Sequence, residues 1–209
     1  MPKVYIVNGS AAYRRMFQDF AWDVLSSIKD DVPDLVCFTG GEDVTPSLYG
    51  HGKHFQTYNN PARDSEEKQL FSQFLEADIP MVGICRSGQF LNVMNGGKMF
   101  QHVLGHTRNH PITDLITGES VWATSTHHQM MWPGTGHKLI AVAEEHGSRQ
   151  YVDKDGSVQY YDGIEKDFEV VLYPNTRSLC FQPHPEFMGE EKLQKYFFSV
   201  IKRYLDVKG

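Results

Sequence analysis

Met81-Val82-Gly83-Ile84-Cys85-Arg86-Ser87-Gly88-Gln89 runs from an apolar, β-rich stretch through a thiol into residues that favour a helix. The pattern predicts a buried strand from Pro80 to Ile84 and a helix from Arg86 to Asn95, stopped by Gly96-Gly97. Cys85 then stands on the sharp turn between them, at the carboxyl end of a strand, where doubly wound sheets bind ligands. The following helix directs its unpaired N–H groups and a partial positive charge at the sulfur, which favours thiolate over thiol. The backbone N–H of Arg86 is placed to donate to an oxyanion on an attacked carbonyl. The competing reading of a cysteine is a buried core thiol. Cys37 and Cys180, inside strand patterns, take that reading.

Upstream, Lys3 to Asn8 and Asp34 to Thr39 read as buried strands. Tyr13 to Ile28 carries Phe17, Phe20, Ala21, Val24, Leu25 and Ile28 at helical spacing. Asp64 to Leu75 reads as a second helix, with Asp64 and Glu67 at capping-box spacing and Leu70, Phe71, Phe74 and Leu75 on one face. This alternation of strand and helix implies a parallel sheet covered by helices on both faces. Downstream, Lys98 to Val103, Ser120 to Ser125, Lys138 to Ala143 and Glu169 to Leu172 read as strands, with shorter ones at Arg149 to Val152 and Val158 to Tyr161. Ser178 to Gln182 returns as a buried strand, and Glu190 to Leu205 closes the chain as an amphipathic helix. The expectation is α/β: one domain over residues 1–209, three-layer α/β/α, with a mostly parallel central sheet and a small antiparallel β element.

The strand from Ser178 delivers Phe181-Gln182-Pro183-His184-Pro185-Glu186. An imidazole there can take a proton from a thiol and return it to a leaving amine. A carboxylate two residues on can hold the ring in the right tautomer. Two prolines stiffen the turn that carries both groups. A His-x-Glu alone is otherwise read as a surface loop; its weight comes from the cysteine turn earlier in the same chain.

The totals exclude several functions. A formal charge of −6 over 209 residues, with Lys and Arg scattered, argues against a nucleic-acid partner. Apolar stretches are too short to span a bilayer, so no membrane association is expected. The first residues enter a strand pattern at once, which argues against a signal peptide. Three cysteines, few and odd in number, suit a reducing, cytoplasmic compartment rather than a disulfide scaffold. No Walker-type loop is present, so the chain itself is not expected to use ATP, and no cofactor is expected.

The Cys85 turn and the late His-Pro-Glu together resemble class I glutamine amidotransferases, which have a Gly-x-Cys-x-Gly-x-Gln turn. Phe38-Thr39-Gly40-Gly41-Glu42-Asp43-Val44-Thr45-Pro46-Ser47-Leu48-Tyr49-Gly50 is similar to the Gly-Gly-x-Asp-Val-x-Pro-x-x-Tyr-Gly loop of the gamma-glutamyl hydrolase and gamma-glutamyl-GABA hydrolase branch. The similarity spans residues 3 to 205 and implies a flavodoxin-like fold. It implies Cys85 as nucleophile, His184 as base and Glu186 as its orienter. It implies an oxyanion hole from the backbone N–H groups of Gly41 and Arg86, with Gln89 helping to hold substrate. Ser125-Thr126-His127 matches a Ser-x-His stretch whose backbone grips the substrate's α-amino and α-carboxylate groups in relatives; the plainer reading of Ser125 and Thr126 is an ordinary strand end. One departure stands out: the family has Gly two residues after the cysteine, whereas this chain has Ser87, with Gly88 next.

His102, His106 and His110 recur at every fourth residue, but Gly105 and Pro111 break the helix that would align them, and they read as solvated loop histidines. His127-His128 lacks further ligands at a recognisable spacing, so no metal is expected. Tyr151, Tyr160, Tyr161 and Phe168 read as ordinary packing. Three functions follow. The first is hydrolysis of a γ-glutamyl amide, of glutamine or of a γ-glutamyl amine or peptide, through a thioester on Cys85. The second is a glutaminase subunit that passes ammonia to a separate ATP-dependent ligase or synthetase. The third, supported by Ser87, is a catalytically weak binding or regulatory protein on the same scaffold.

Overall fold

The computed structural model describes residues 1–29, 31–144, 149–163, 166–187 and 189–207. In chain order it begins β1 (Lys3–Val7), α1 (Ala11–Asp19), β2 (Asp23–Leu25), β3 (Leu35–Phe38), α2 (Pro61–Glu76), β4 (Met81–Ile84) and α3 (Arg86–Met94). Short strands follow: β5 (Lys98–Phe100), β6 (His102–Val103), β7 (His110–Asp114), β8 (Ser120–Ala123) and β9 (Met130–Trp132). The chain then forms β10 (Lys138–Glu144), β11 (Arg149–Val152), β12 (Val158–Tyr161), β13 (Lys166–Tyr173), β14 (Ser178–Phe181) and α4 (Glu191–Tyr204).

The main sheet has nine strands in the order β2-β1-β3-β4-β14-β13-β10-β7-β8. The half from β2 to β14 is parallel, and β13, β10, β7 and β8 continue it antiparallel. The antiparallel element is thus fused to the parallel half, with β12-β11-β6 and β5-β9 as small sheets beside it. Apolar runs without alternation are explained by burial on both faces. Val4, Ile6, Leu35, Cys37, Val82, Ile84, Leu179 and Phe181 pack with α1 and α4. The residues between them, Val7, Val36, Phe38, Met81 and Cys180, pack with α2 and α3 on the other face. Burial raises the Cys37 and Cys180 thiols above their ordinary values, as suits core residues.

Two local expectations are corrected. The helix expected over Tyr13 to Ile28 ends at Asp19. Ala21 turns to a φ of 61°, and Trp22 folds back edge-on to Phe17 with ring centroids 5.5 Å apart. Val24 and Leu25 then pair in parallel with Val4 and Tyr5. In the strand Val24 packs against the α1–α4 face of the core, so its apolar character is met there as well as it would be in a helix. Asp64 and Glu67 do not form a capping box. Asn60 caps α2 by accepting the Arg63 N–H at 3.2 Å, while Asp64 and Glu67 are buried against Arg86. Strands β7 and β9 lie in stretches that carry no clear strand pattern in the sequence.

Candidate active site

Three parallel strands deliver the site from their carboxyl ends: β3 leads into Gly40-Gly41, β4 into Cys85, and β14 toward His184. Cys85 adopts φ 52° and ψ −115°, a conformation that costs a residue with a Cβ on the order of 1–3 kcal/mol. Its N–H donates to the Phe181 carbonyl at 2.8 Å, which ties the turn to β14. The turn is tight enough to need glycine before it: a Cβ at Gly83 would lie 2.2 Å from the Ser87 carbonyl oxygen. One at Gly88 would lie 3.0 Å from the Phe181 nitrogen.

The imidazole of His184 is gripped at both nitrogens. Nδ1 meets Glu186 Oε1 at 2.7 Å, and Nε2 lies 3.0 Å from the Thr126 hydroxyl. Burial disfavours the imidazolium, but hydrogen bonding to Cys85 and Glu186 and their charge outweigh it and raise His184 to about 10. The ring stacks on Phe187 with centroids 4.6 Å apart. Tyr13 lies beside Glu186, and burial followed by that negative charge holds its phenol protonated. The Tyr13 oxygen accepts the Gly40 N–H at 3.0 Å.

The loop after β3 is braced from behind. Arg63 donates to the Thr39 carbonyl at 2.7 Å, to the Gly40 carbonyl at 3.0 Å and to Glu67 at 2.7 Å. The Ser87 hydroxyl donates to the same Thr39 carbonyl at 2.6 Å. The serine that departs from the family pattern is therefore buried and bonded, and it joins the cysteine turn to the Gly40-Gly41 loop. The Arg86 side chain turns away from the cleft into ion pairs with Asp64 and Glu67, which leaves its backbone at the cleft.

A cleft of about 380 Å³ opens over Cys85, lined also by Gly41, Arg86, Gln89, Thr126, His127 and His184. Glu186 stands behind His184 rather than in the lining. Gln89 Nε2 donates to the Gln129 carbonyl and to Gln182 Oε1, both at 3.1 Å, so it also braces the cleft floor. Ser125 is not brought to the cleft: its N–H donates to Asn109 at 3.2 Å and its hydroxyl donates to the His106 carbonyl. Glu42, Asp43 and Tyr58 line the cleft without having been singled out from the sequence, and His128, noted beside His127, lines it too. Glu42 and Asp43 stand in the Gly-Gly-x-Asp-Val loop, which was their available signal; Tyr58 had none. Asp43 Oδ2 accepts the Tyr58 N–H at 2.8 Å and faces His128 Nε2 at 3.2 Å, which raises the His128 imidazole.

The reading of His106 and His110 as solvated is overturned: both are buried, with His127 and Glu169 beside them. His106 and His110 share the spacing noted in the sequence, but His127 and Glu169 come from separate segments that no spacing rule along the chain could join to them. His102 is half-buried, 6.4 Å from His128 between ring centroids, and is not part of that group. Tyr151, Tyr161 and Phe168 pack with Phe100, Val103 and Met130, as expected, whereas Tyr160 is exposed.

The family model described as Peptidase C26 matches residues 22–146. A candidate glutamine amidotransferase of Mycobacterium tuberculosis is 31% identical over 179 residues, which cover 76% of this chain and 52% of that protein. The carbamoyl phosphate synthase small chain of Thermotoga maritima is 26% identical over 165 residues, 70% of this chain and 41% of that one. The chain therefore spans about half the length, or less, of these relatives. A crystal structure of a glutamine amidotransferase from Thermotoga maritima superposes with a TM-score of 0.59 at 12% identity, covering 98% of this chain and 89% of that one. At that identity the likeness establishes the α/β fold.

Proposed function

The chain belongs to the Peptidase C26 family, within the class I glutamine amidotransferase-like group, and on that premise we propose that it hydrolyses a γ-glutamyl amide bond through a thioester on Cys85. The observation that carries this reading is the imidazole of His184, held between Cys85 and Glu186 at the floor of a cleft. In the proposed reaction Cys85 Sγ attacks the γ-carbonyl carbon, and the oxyanion accepts the backbone N–H groups of Gly41 and Arg86. His184 gives its proton to the leaving nitrogen, the C–N bond breaks, and an amine or ammonia departs. Water then attacks the thioester while His184 takes its proton. Glutamate leaves and the thiolate is restored. Glu186 keeps the ring oriented throughout. Gln89, Thr126 and the backbone at His127 contact the substrate. The loop from Gly40 to Gly50 favours the gamma-glutamyl hydrolase branch. We take residues 1–209 as one such domain acting in the cytoplasm; among the described residues no helix is long and apolar enough to cross a membrane.

The test is glutamate release by the purified protein from glutamine and from a panel of γ-glutamyl amines and peptides, with Cys85→Ala as control. Turnover of one conjugate that vanishes in Cys85→Ala supports the reading. Turnover that survives the substitution overturns it.

A second reading is favoured by the similarity to a carbamoyl phosphate synthase small chain over 70% of this chain. Here the same chemistry on glutamine supplies ammonia to a separate ligase or synthetase. It predicts slow glutamine hydrolysis alone and acceleration by a co-purifying partner. Full activity without one counts against it.

A further inference from the structure

Behind the wall of the cleft, four buried side chains from four segments converge. His106 lies in the loop after β6, His110 opens β7, His127 lies in the loop after β8, and Glu169 lies in β13. All are at most 5% exposed, and Glu169 and His106 are fully buried. Three ring nitrogens approach one carboxylate oxygen, Glu169 Oε1: His106 Nδ1 at 3.2 Å, His110 Nε2 at 3.1 Å and His127 Nε2 at 3.8 Å.

The far side of each ring is held as well. His106 Nε2 meets Asp167 Oδ2 at 2.5 Å, and Asp167 is held in turn by Arg149 Nε at 2.8 Å. His110 Nδ1 bonds the Arg108 carbonyl at 2.9 Å, and His127 Nδ1 bonds the Gln129 carbonyl at 2.7 Å. A carbonyl only accepts, so both Nδ1 atoms carry hydrogen and each neutral ring turns its Nε2 lone pair inward. Lone pairs aimed at a carboxylate repel unless a cation lies between them. A proton can bridge the contacts near 3 Å, but 3.8 Å is beyond hydrogen-bond reach. His127 Nε2 and the second carboxylate oxygen of Glu169 are buried with no hydrogen-bond partner among the described residues. Proton bridges alone therefore leave two buried polar atoms unsatisfied, a cost of about 1–3 kcal/mol each.

We propose that His106, His110, His127 and Glu169 form a binding site for a divalent transition-metal ion of the zinc type. A tetrahedral ion with bonds of about 2.0–2.1 Å separates its donors by roughly 3.4 Å, which the three distances to Glu169 Oε1 bracket. Three imidazoles and one carboxylate are a nitrogen-rich set that suits zinc, cobalt or nickel over magnesium or calcium. The Asp167–His106 contact and the two carbonyl contacts are the outer partners that fix ring orientation in metal sites. Full burial with four protein donors makes the ion structural. It ties the loop carrying Thr126 and His127 to β13, and so steadies the residue that contacts His184.

The test uses the full-length protein and its Cys85→Ala variant, stripped with a chelator and then titrated with Co(II) and with Zn(II). The expected result is one ion per chain in both proteins, with the visible absorption of tetrahedral cobalt. Uptake by Cys85→Ala separates this site from the catalytic thiol, so the outcome does not depend on the proposed hydrolase chemistry. Asp167→Asn weakens binding about ten- to a hundredfold, and His127→Gln abolishes the cobalt band while circular dichroism shows a folded chain. Failure of the wild-type protein to retain either ion through gel filtration overturns the proposal without recourse to any variant. So does a cobalt spectrum unchanged in folded His127→Gln, or one that disappears with Cys85.

Discussion

The hydroxyl of Thr126 lies 3.0 Å from Nε2 of His184, the ring nitrogen left for Cys85 once Glu186 has taken Nδ1. Thr126 therefore contacts the imidazole proposed as the base as well as lining the cleft. A hydrogen bond to a charged partner contributes about 1.5–3 kcal/mol, or roughly ten- to a hundredfold in rate when it acts on the reacting group. Thr126→Val is expected to lower kcat by that factor with a smaller change in KM, and Thr126→Ser to restore most of it. Steady-state kinetics on the best substrate of the panel decides this; an unchanged kcat in Thr126→Val removes Thr126 from the positioning of His184.

The raised His184 sets the alkaline side of the pH profile. Its value of about 10 in the folded chain stands above the ordinary histidine value near 6.5. The stability it contributes is thus full below about pH 6.5 and is lost as pH rises toward 10. In the proposed reaction the general acid is lost over the same limb, so kcat/KM is expected to fall toward pH 10. Glu186→Gln removes one of the two groups that raise the ring, so the limb should move to lower pH. It should also cut kcat by about 10²-fold or more, the scale of general acid–base catalysis. A limb that stays in place in Glu186→Gln contradicts the assigned role of that carboxylate.

The convergence of Cys85, His184 and Glu186, the proposed catalytic trio, is legible in the sequence because each follows a fully buried strand within a few residues, and β4 and β14 are neighbours in the sheet. Such local signals survive without any knowledge of tertiary contacts. The misreadings share the opposite property. Asp64 and Glu67 imitate a capping box, but their partner is Arg86, about twenty residues away on another helix. Val24 fits a helical period, but the core it faces accepts a strand equally well. The histidine–carboxylate cluster gathers loops and strands spread over residues 106 to 169, and no local pattern encodes that convergence. Ser125 sits within a matched motif, yet Asn109 and His106 claim its polar atoms.

Ser87 and Gly83 make predictions of unequal size on one turn. Ser87→Gly restores the family's residue but deletes a buried hydroxyl that donates to Thr39 at 2.6 Å. It leaves room for water or collapse at little cost to geometry, so a loss of about 1–2 kcal/mol and activity within a few-fold of wild type are expected. Gly83→Ala places a methyl 2.2 Å from a backbone carbonyl that cannot move without shifting α3. That overpacking costs about 1–3 kcal/mol or more and displaces the Cys85 turn, so activity should fall far more than in Ser87→Gly. Urea unfolding with parallel kinetics separates the two. Equal losses of activity in both variants would show that the turn tolerates a Cβ at Gly83.

Arg86 is the largest fully buried charged side chain at the site, and its guanidinium faces Asp64 and Glu67, both also buried. Removing the cation leaves Asp64 desolvated with no compensating charge, and leaves Glu67 with Arg63 as its only cation among the described residues. Losses of about 3–5 kcal/mol follow from breaking a buried pair in this way. Arg86→Ala is therefore expected to lower the urea midpoint by that equivalent, with an unchanged m-value if unfolding stays two-state. Replacing all three together by Arg86→Met, Asp64→Asn and Glu67→Gln removes the stranded charge and should recover much of the loss. It should not restore full activity, because Glu67 also holds Arg63, which braces the Gly40-Gly41 loop from behind. A triple variant as unstable as Arg86→Ala would assign the loss to packing of the long side chain rather than to the buried negative charge.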